Sequence, residues 1–355
     1  MGTAVEAMSK LLEDEHATEV MVDGPERVYI EMWGKLEETD ICFADEQAVV
    51  DWANGLLTRH GWPPAGEGRP WAEGRLEDGS RMLVVLPPVA VQGPSVIIRK
   101  FLSPEMTFDQ LLKYGSIDQT MLDFFRVVMQ ARLNVVVAGG TASGKTTLTN
   151  MLTELMPDGE RLIAVERTNE LHLRQERVVY LEAEAARAIG GDDVEMSTLL
   201  QIASRMRPDR IVVGELVGGE VLEMLRLMNT GHEGILTTIH AKSPRDALAR
   251  IEKMATMAEP SLTLPAIRAE IAEALDLIVQ VNRLEDGVRR VVSIVEVQGL
   301  RGDHIQLQDL FTWEKMKVMD DGHRFIGHFR PTHVPPSFAP TLAAAGLVFP
   351  EGMFF

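Results

Sequence analysis

The chain has 355 residues, a single cysteine, and 53 acidic against 35 basic side chains, a net charge of −18. That length implies two domains with ample buried core, and the charge disfavours non-specific binding along a nucleic-acid backbone. One thiol, Cys42, excludes an internal disulfide or a multi-cysteine metal site.

No run of about 18 apolar residues marks a spanning helix. The start, "MGTAVEAMSKLLEDEHATEV", lacks the basic-then-apolar pattern of a secretory leader. Its Met-Gly opening has no second lipid anchor beside it. The expectation is a cytoplasmic protein that reaches a membrane only through partners.

In chain order, "EVMVDGPERVYIEM" predicts two strands around a turn. "DICFAD" reads as a short strand with the Cys42 thiol packed inside. "EQAVVDWANGLLTRHGW" has helical spacing and stops near Gly61. "GRLEDGSRMLVVLPP" predicts a hairpin, and "SVIIRKF" another strand. A helix start at Ser103-Pro104-Glu105 and a second at Ser116 follow. The expected division is a small α+β domain over 1–102, an α/β domain over 103–330 and a C-terminal extension over 331–355 packed on it.

The second domain alternates: strand 134–138, helix 145–156, strand 161–165, helix 196–204, strand 210–213, helix 218–229, strand 234–239 and helix 265–275. Such alternation predicts a parallel sheet with helices on both faces. Hairpins are expected around "LEDGVRR" and "LRGDHIQLQDLF", and an extended stretch with a short helix at the end.

"NVVVAGGTASGKTTLTNML" carries the chemistry. Gly139, Gly140, Thr141, Ala142, Ser143, Gly144, Lys145 and Thr146 fit G-x-x-x-x-G-K-[ST] in full, with Thr147 next. Glycines let backbone N–H groups turn inward around phosphates, and a helix N-terminus adds its dipole. Lys145 would reach the β- and γ-phosphates and Thr146 would ligate Mg²⁺.

A phosphate loop needs acidic groups at neighbouring strand ends. Glu215 follows one apolar run and Glu166 another. Glu215 is assigned to Mg²⁺ and its waters, Glu166 to the attacking water, with exchange of the two roles left open; the plain alternative for each is a solvated strand end. His240 closes another strand beside Glu215, where a neutral imidazole could hydrogen-bond the γ-phosphate or the Glu215 carboxylate and so sense nucleotide state, although a lone strand-end histidine is more often structural. His232, eight residues earlier, has no zinc-like spacing with it. Arg205, Arg207 and Arg210 precede the Glu215 strand, as phosphate or subunit contacts or as a solvated helix end. Arg81 and Arg99 are strand cations that could serve as arginine fingers.

Together, "GGTASGKTT", "AVERTNEL", "RMRPDRIVVGELVGGE", "MNTGHEGILTTIHAKSPRDAL" and "DGSRMLVVLPPVAVQGPSVIIRKF" resemble the type II/type IV secretion ATPase superfamily, in particular the CpaF-like ATPases of tight-adherence (Tad) pili. The resemblance implies a homo-hexamer of two-domain subunits, each with a PAS-like N-terminal domain and a RecA-like P-loop domain. It also implies ATP and Mg²⁺ as cofactors, and an inner-membrane platform protein through which hydrolysis drives pilin assembly or retraction. By position, Glu166 matches the family's aspartate-box glutamate, Glu215 its Walker B glutamate and His240 its histidine box. Arg81 and Arg99 fall where the family places arginines facing the phosphates.

The chain departs from the pattern at Arg167, where Asp is usual, at Val217, where Arg is usual, and at Tyr180 and Glu184, which replace two arginines. Ala142 replaces a loop glycine. Each direct charge-assisted phosphate contact is worth on the order of 1.5–3 kcal/mol, so these changes bear on turnover. The expectation is an active, slow ATPase motor. Its alternatives are a weakly hydrolysing or regulatory paralogue and a conjugation traffic ATPase. A nucleic-acid motor is disfavoured by the charge and by the lack of an aromatic–basic stripe.

Overall fold

The computed structural model describes residues 2–14, 16–32, 35–66, 68–100, 106–185, 191–318 and 325–354. They form two compact units, Met1–Pro104 with Ala185–Asp193, and Glu105–Glu184 with Val194–Phe355.

The first unit begins with α1 (Gly2–Glu13), then β1 (Ala17–Asp23), β2 (Val28–Met32), β3 (Lys35–Glu38), α2 (Glu46–Arg59), β4 (Trp71–Arg75), β5 (Arg81–Val85) and β6 (Ser95–Arg99). Its antiparallel sheet has the order β3-β2-β1-β6-β5-β4. Alternating residues Val20, Val22, Met82, Val84, Val96 and Ile98 form one core with Val49, Trp52 and Leu57 of α2. The expected strand at "DICFAD" is absent. Asp45 instead caps α2 by accepting the Ala48 N–H, so the segment is a helix entry. Phe43 is the residue that turns inward, its ring 5.4 Å from Trp52, and Cys42 is exposed.

The second unit runs α3 (Phe108–Lys113), α4 (Gln119–Gln130), β7 (Val135–Gly139), α5 (Lys145–Thr153), β8 (Leu162–Glu166), β9 (Val178–Glu182), α6 (Met196–Arg205), β10 (Arg210–Leu216), α7 (Glu220–Asn229), β11 (Leu236–His240), α8 (Pro244–Ala258), α9 (Leu264–Ala274), β12 (Leu277–Arg283), β13 (Arg289–Arg301), β14 (His304–Val318), β15 (Phe325–Pro331) and α10 (Ala339–Ala344). The sheet order is β15-β14-β13-β12-β7-β11-β10-β8-β9. From β12 to β9 every pairing is parallel, and β13 to β15 continue as antiparallel hairpins.

The central strands read as unbroken apolar runs because both faces are covered. Val136, Ala138, Ile163 and Val213 point to α6–α9. Val135, Val137, Leu162 and Val212 point to α4 and α5. The C-terminal segment closes that second layer: Phe349 stacks on Phe124 at 5.3 Å, and Phe354 lies 5.6 Å from Phe311.

The sequence predicts two helix starts in the connector before β7. Ser103-Pro104-Glu105 lies outside the described residues, and α3 is entered through Thr107, which forms a reciprocal capping box with Gln110. Asp118, not Ser116, caps α4.

Candidate nucleotide site

The site is built at the carboxyl ends of β7, β8, β10 and β11, where open α/β sheets bind ligands. Gly139 ends β7 in register with His240 of β11 and Val281 of β12. A Cβ there would lie 2.4 Å from both Ser143 Oγ and Val281 O, so only glycine fits. The chain then turns through Ala142 at φ 56° and Gly144 at φ 99°, left-handed conformations that aim successive N–H groups into the loop. Gly144 caps α5 with no side-chain hydrogen bond, leaving the first N–H groups of that helix for a ligand.

Lys145 opens α5 and is 8% exposed. Its Nζ donates to Gly140 O at 3.3 Å and lies 3.6 Å from Glu215 Oε1 and 3.4 Å from His240 Nδ1. Burial lowers its pKa, against the pull of Glu215. His240 Nε2 is 3.2 Å from Glu215 Oε1. A neutral imidazole protonated on Nε2 satisfies both contacts, donating to Glu215 and accepting from Lys145. The pairing of His240 with Glu215 expected from the sequence is present, and Lys145 joins it beside the loop. Glu215 sits where the β10–β11 register shifts between Val213 and Leu216. Thr146 and Thr147 are half-buried on the first turn of α5.

Glu166 occupies a different position. It is 4% exposed. Its Oε1 accepts the N–H of Glu170 at 3.0 Å and of Leu171 at 3.1 Å. The Asn169 amide, in the orientation that satisfies it, donates to Oε2 at 2.9 Å. Burial pushes its pKa up to about 7 against these lowering bonds. A Cβ on Gly214 would meet Glu166 Oε1 at 2.8 Å, so glycine there makes room for the carboxyl. In this arrangement Glu166 anchors the segment after β8, and Glu215 is the more accessible carboxylate.

Among the described residues no group of three or more His, Cys, Asp or Glu could hold a metal by itself. A Mg²⁺ at this site would therefore lean on Thr146, Glu215 and the nucleotide's own oxygens, as Mg²⁺ commonly does.

Arg210 and His232 do not join the site. Arg210 starts β10, five residues and roughly 16 Å of strand from Glu215. Its guanidinium is fully buried and paired with Glu160, which also binds Arg132 at 2.7 Å. A polar cavity of about 210 Å³ at this amino edge includes Arg132, Arg210 and His232. Arg205 and Arg207 are exposed near the same edge. Arg205, Arg207, Arg210 and His232, candidates for phosphate or subunit contacts, each stand at or before the start of a strand, on the edge away from the loop of this unit.

Arg81 and Arg99 belong to the first unit and pair directly across β5 and β6. Arg75 is opposite Arg81 in turn, a third cation that the sequence reading missed. Like charges in such a row oppose each other, and Arg99 gains an ion pair with Glu19 at 3.6 Å.

The substituted positions also have defined surroundings. The Tyr180 hydroxyl accepts the Leu173 N–H at 2.9 Å. Val217 is exposed, while its N–H and that of Gly218 donate to the buried Glu220 carboxylate at 2.6 and 2.8 Å. Glu220 escaped the sequence reading; it opens α7 after the N-cap Gly219, where an acidic first turn suits the helix dipole.

A family model for type II/IV secretion system proteins matches residues 3–310. This chain belongs to the type II/IV secretion system protein family. Its relatives in that family include a putative conjugal transfer protein of Mycobacterium tuberculosis, 34% identical, with 90% of this chain and 91% of that protein aligned. The conjugal transfer protein TrbB of Rhizobium radiobacter is 33% identical over 88% of this chain and 92% of its own length. The fold is shared with the pilus retraction motor PilT in its ADP-bound crystal structure, at a TM-score of 0.62, 18% identity, and coverage of 82% of this chain and 81% of that one. Among the described residues no helix of this family member is long and apolar enough to cross a membrane.

Proposed function

We propose that this secretion-family chain is an ATP hydrolase that works as the motor of a pilus or secretion machine. The observation that supports it best is the meeting of Lys145, Glu215 and His240 beside a complete phosphate loop. In this reading the loop 139–147 and α5 hold the phosphates of ATP, and Thr146 and Glu215 hold Mg²⁺ and its waters. Lys145 neutralises charge on the transferred phosphoryl group. His240 couples Glu215 to Lys145 and so registers whether the γ-phosphate is present. Glu166 acts through the segment it anchors. Arg81 and Arg99, with Arg75 beside them, are the proposed arginine fingers, and a homo-hexamer gives them phosphates to face. The second unit is the RecA-like core and the first the PAS-like domain.

The machine is placed at the cytoplasmic face of an inner membrane, reached through a platform protein rather than by the chain itself. The motif set resembles Tad pilus motors, whereas the named relatives are conjugal transfer proteins. Deleting the gene in its host separates these outlets: loss of surface pili and adherence supports the first, and loss of DNA transfer with pili retained supports the second.

The direct test measures phosphate release with Mg²⁺ and ATP across oligomeric fractions. Turnover that rises in the ring fraction and collapses in Glu215→Gln supports the motor. Tight ATP binding with background phosphate release in every fraction supports the regulatory reading, which Val217 and Tyr180 favour, since neither supplies a cation where the family has one.

A further inference from the structure

A phosphate loop that turns its N–H groups inward must turn carbonyls outward, and something has to hold them. Here that partner comes from the β12–β13 hairpin. β12 pairs with β7 as far as Val281 opposite Gly139, then runs two residues further. The hairpin tip is thereby carried past the end of β7 and over the loop. Its anchor is rigid: Arg290 is buried, bonded to Asp286 at 2.8 and 2.9 Å, with its guanidinium 5.2 Å from the Trp313 ring. The neighbouring residue, Arg289, turns to the other face by strand alternation. Its Nε donates to Ala142 O at 3.0 Å. Its stem lies flush on the loop, since a Cβ on Gly144 would meet Arg289 Cδ at 3.1 Å.

Ala142 is also the loop's one non-glycine residue with positive φ, at 56°. Its carbonyl belongs to the peptide that carries the Ser143 N–H. That N–H points into the loop, toward Gly140 O at 3.4 Å, and a guanidinium on the carbonyl fixes the peptide's orientation and polarises the N–H for the stronger acceptor that a phosphate oxygen offers there. Beside it a cavity of about 290 Å³ opens between Arg289, Gly144, Thr147, Leu148 and Tyr114. Lys145, Glu215 and His240 meet at Gly140 and Gly139, the opposite end of the loop.

We propose that Arg289 is a positioning residue for the phosphate loop: through the Ala142 carbonyl it holds the strained Ala142–Ser143 peptide in the form that receives a polyphosphate. This rests on reading the loop as a phosphate site. Because Arg289 is exposed, its effect is smaller than that of a buried charged bond. The expected loss in affinity is roughly fivefold to tenfold, equal for every polyphosphate that uses the loop.

The test is calorimetric binding of MgATP, MgADP and magnesium tripolyphosphate to the full chain. Wild type, Arg289→Ala, Ala142→Gly and the double variant are compared. Positioning predicts that Arg289→Ala weakens all three ligands by the same factor, with the thermal midpoint of the ligand-free protein unchanged. It also predicts that Ala142→Gly, which frees the same peptide, gives part of that loss, and that the double variant loses less than the product of the two. A loss seen for the nucleotides but not for tripolyphosphate would mean that Arg289 touches the nucleoside, and would overturn the proposal. So would fully multiplicative losses, which mark an independent direct contact. If Arg289→Ala does not fold, Arg289→Gln with Ala142→Gly carries the same cycle. A wild type that binds none of the three ligands refutes the phosphate site itself, an outcome distinct from wild type and variants binding equally.

Discussion

The two edges of the central sheet use the same kinds of residue for opposite ends. At the amino edge Arg210 is closed into a pair with Glu160, and Asp276 accepts the Asn134 N–H at 2.7 Å. At the carboxyl edge Lys145, Glu215 and His240 stand 3.2 to 3.6 Å apart, with Glu215 and His240 more than a third exposed. Short buried pairs stabilise a fold; longer, wetter contacts leave groups able to change partners. Charge and residue type do not separate these cases, whereas commitment to a partner does.

The largest expected effect lies at the carboxyl edge. Glu215→Gln should lower turnover by about 10²- to 10⁴-fold while ATP affinity stays within roughly threefold, read by phosphate release and by binding. Retained turnover would break the comparison, because Glu215 would then be as structural as Glu160. Its mirror is Glu160→Gln, which strands the buried Arg210. It should cost on the order of 3–5 kcal/mol of stability in denaturant melts and leave ATP affinity of the surviving folded protein unchanged. Lys145→Ala should weaken ATP binding by about 10- to 100-fold, without lowering the melting temperature of the ligand-free chain.

A pH series sharpens the contrast further. Glu166 keeps its proton up to about 7, against an ordinary value of 4.5. The folded protein then binds more protons than the unfolded chain between those values, so stability falls as pH rises through that window and is level above it. Glu166→Gln should flatten this slope by at most about 3 kcal/mol, measured as melting temperature against pH. Asp276, raised to about 6, adds a slope of the same sign from the other edge, which Asp276→Asn should remove separately. The smallest effect is expected for Arg207→Ala, within about 0.5 kcal/mol in stability and unchanged in affinity of the isolated subunit. A large drop in turnover confined to the assembled ring would give Arg207 a role between subunits.

Much of this architecture is legible in the sequence because it rests on local signals. The phosphate loop, the apolar strands around it and the hairpin turns at Gly287 and Gly302 all follow from spacing within a dozen residues. What fails is information about which end of a strand a residue occupies. Arg210 stands five positions from Glu215 in the chain, which suggested a common site, yet an extended strand carries them to opposite edges. His232 and His240, eight positions apart, are likewise carried to opposite edges by the intervening β11. Cys42 and Phe43 compete for one inward position, and the aromatic ring of Trp52 decides for Phe43. Arg289 reaches the loop from 147 positions away, a contact that no local pattern encodes.

Asn134 has a mechanical consequence. Its backbone N–H binds Asp276, its amide donates to Ala274 O at 2.8 Å, and its side-chain oxygen accepts the Ile235 N–H at 2.9 Å. One residue thus rivets β7, β11 and β12 together at their starting ends. Strands fastened this way cannot slide past one another, so a small displacement at their free ends is not dissipated as shear within the sheet. It has to emerge in the segments that leave those ends, after Gly139, after His240 and after Arg283, which makes them the parts of this sheet that can move against one another.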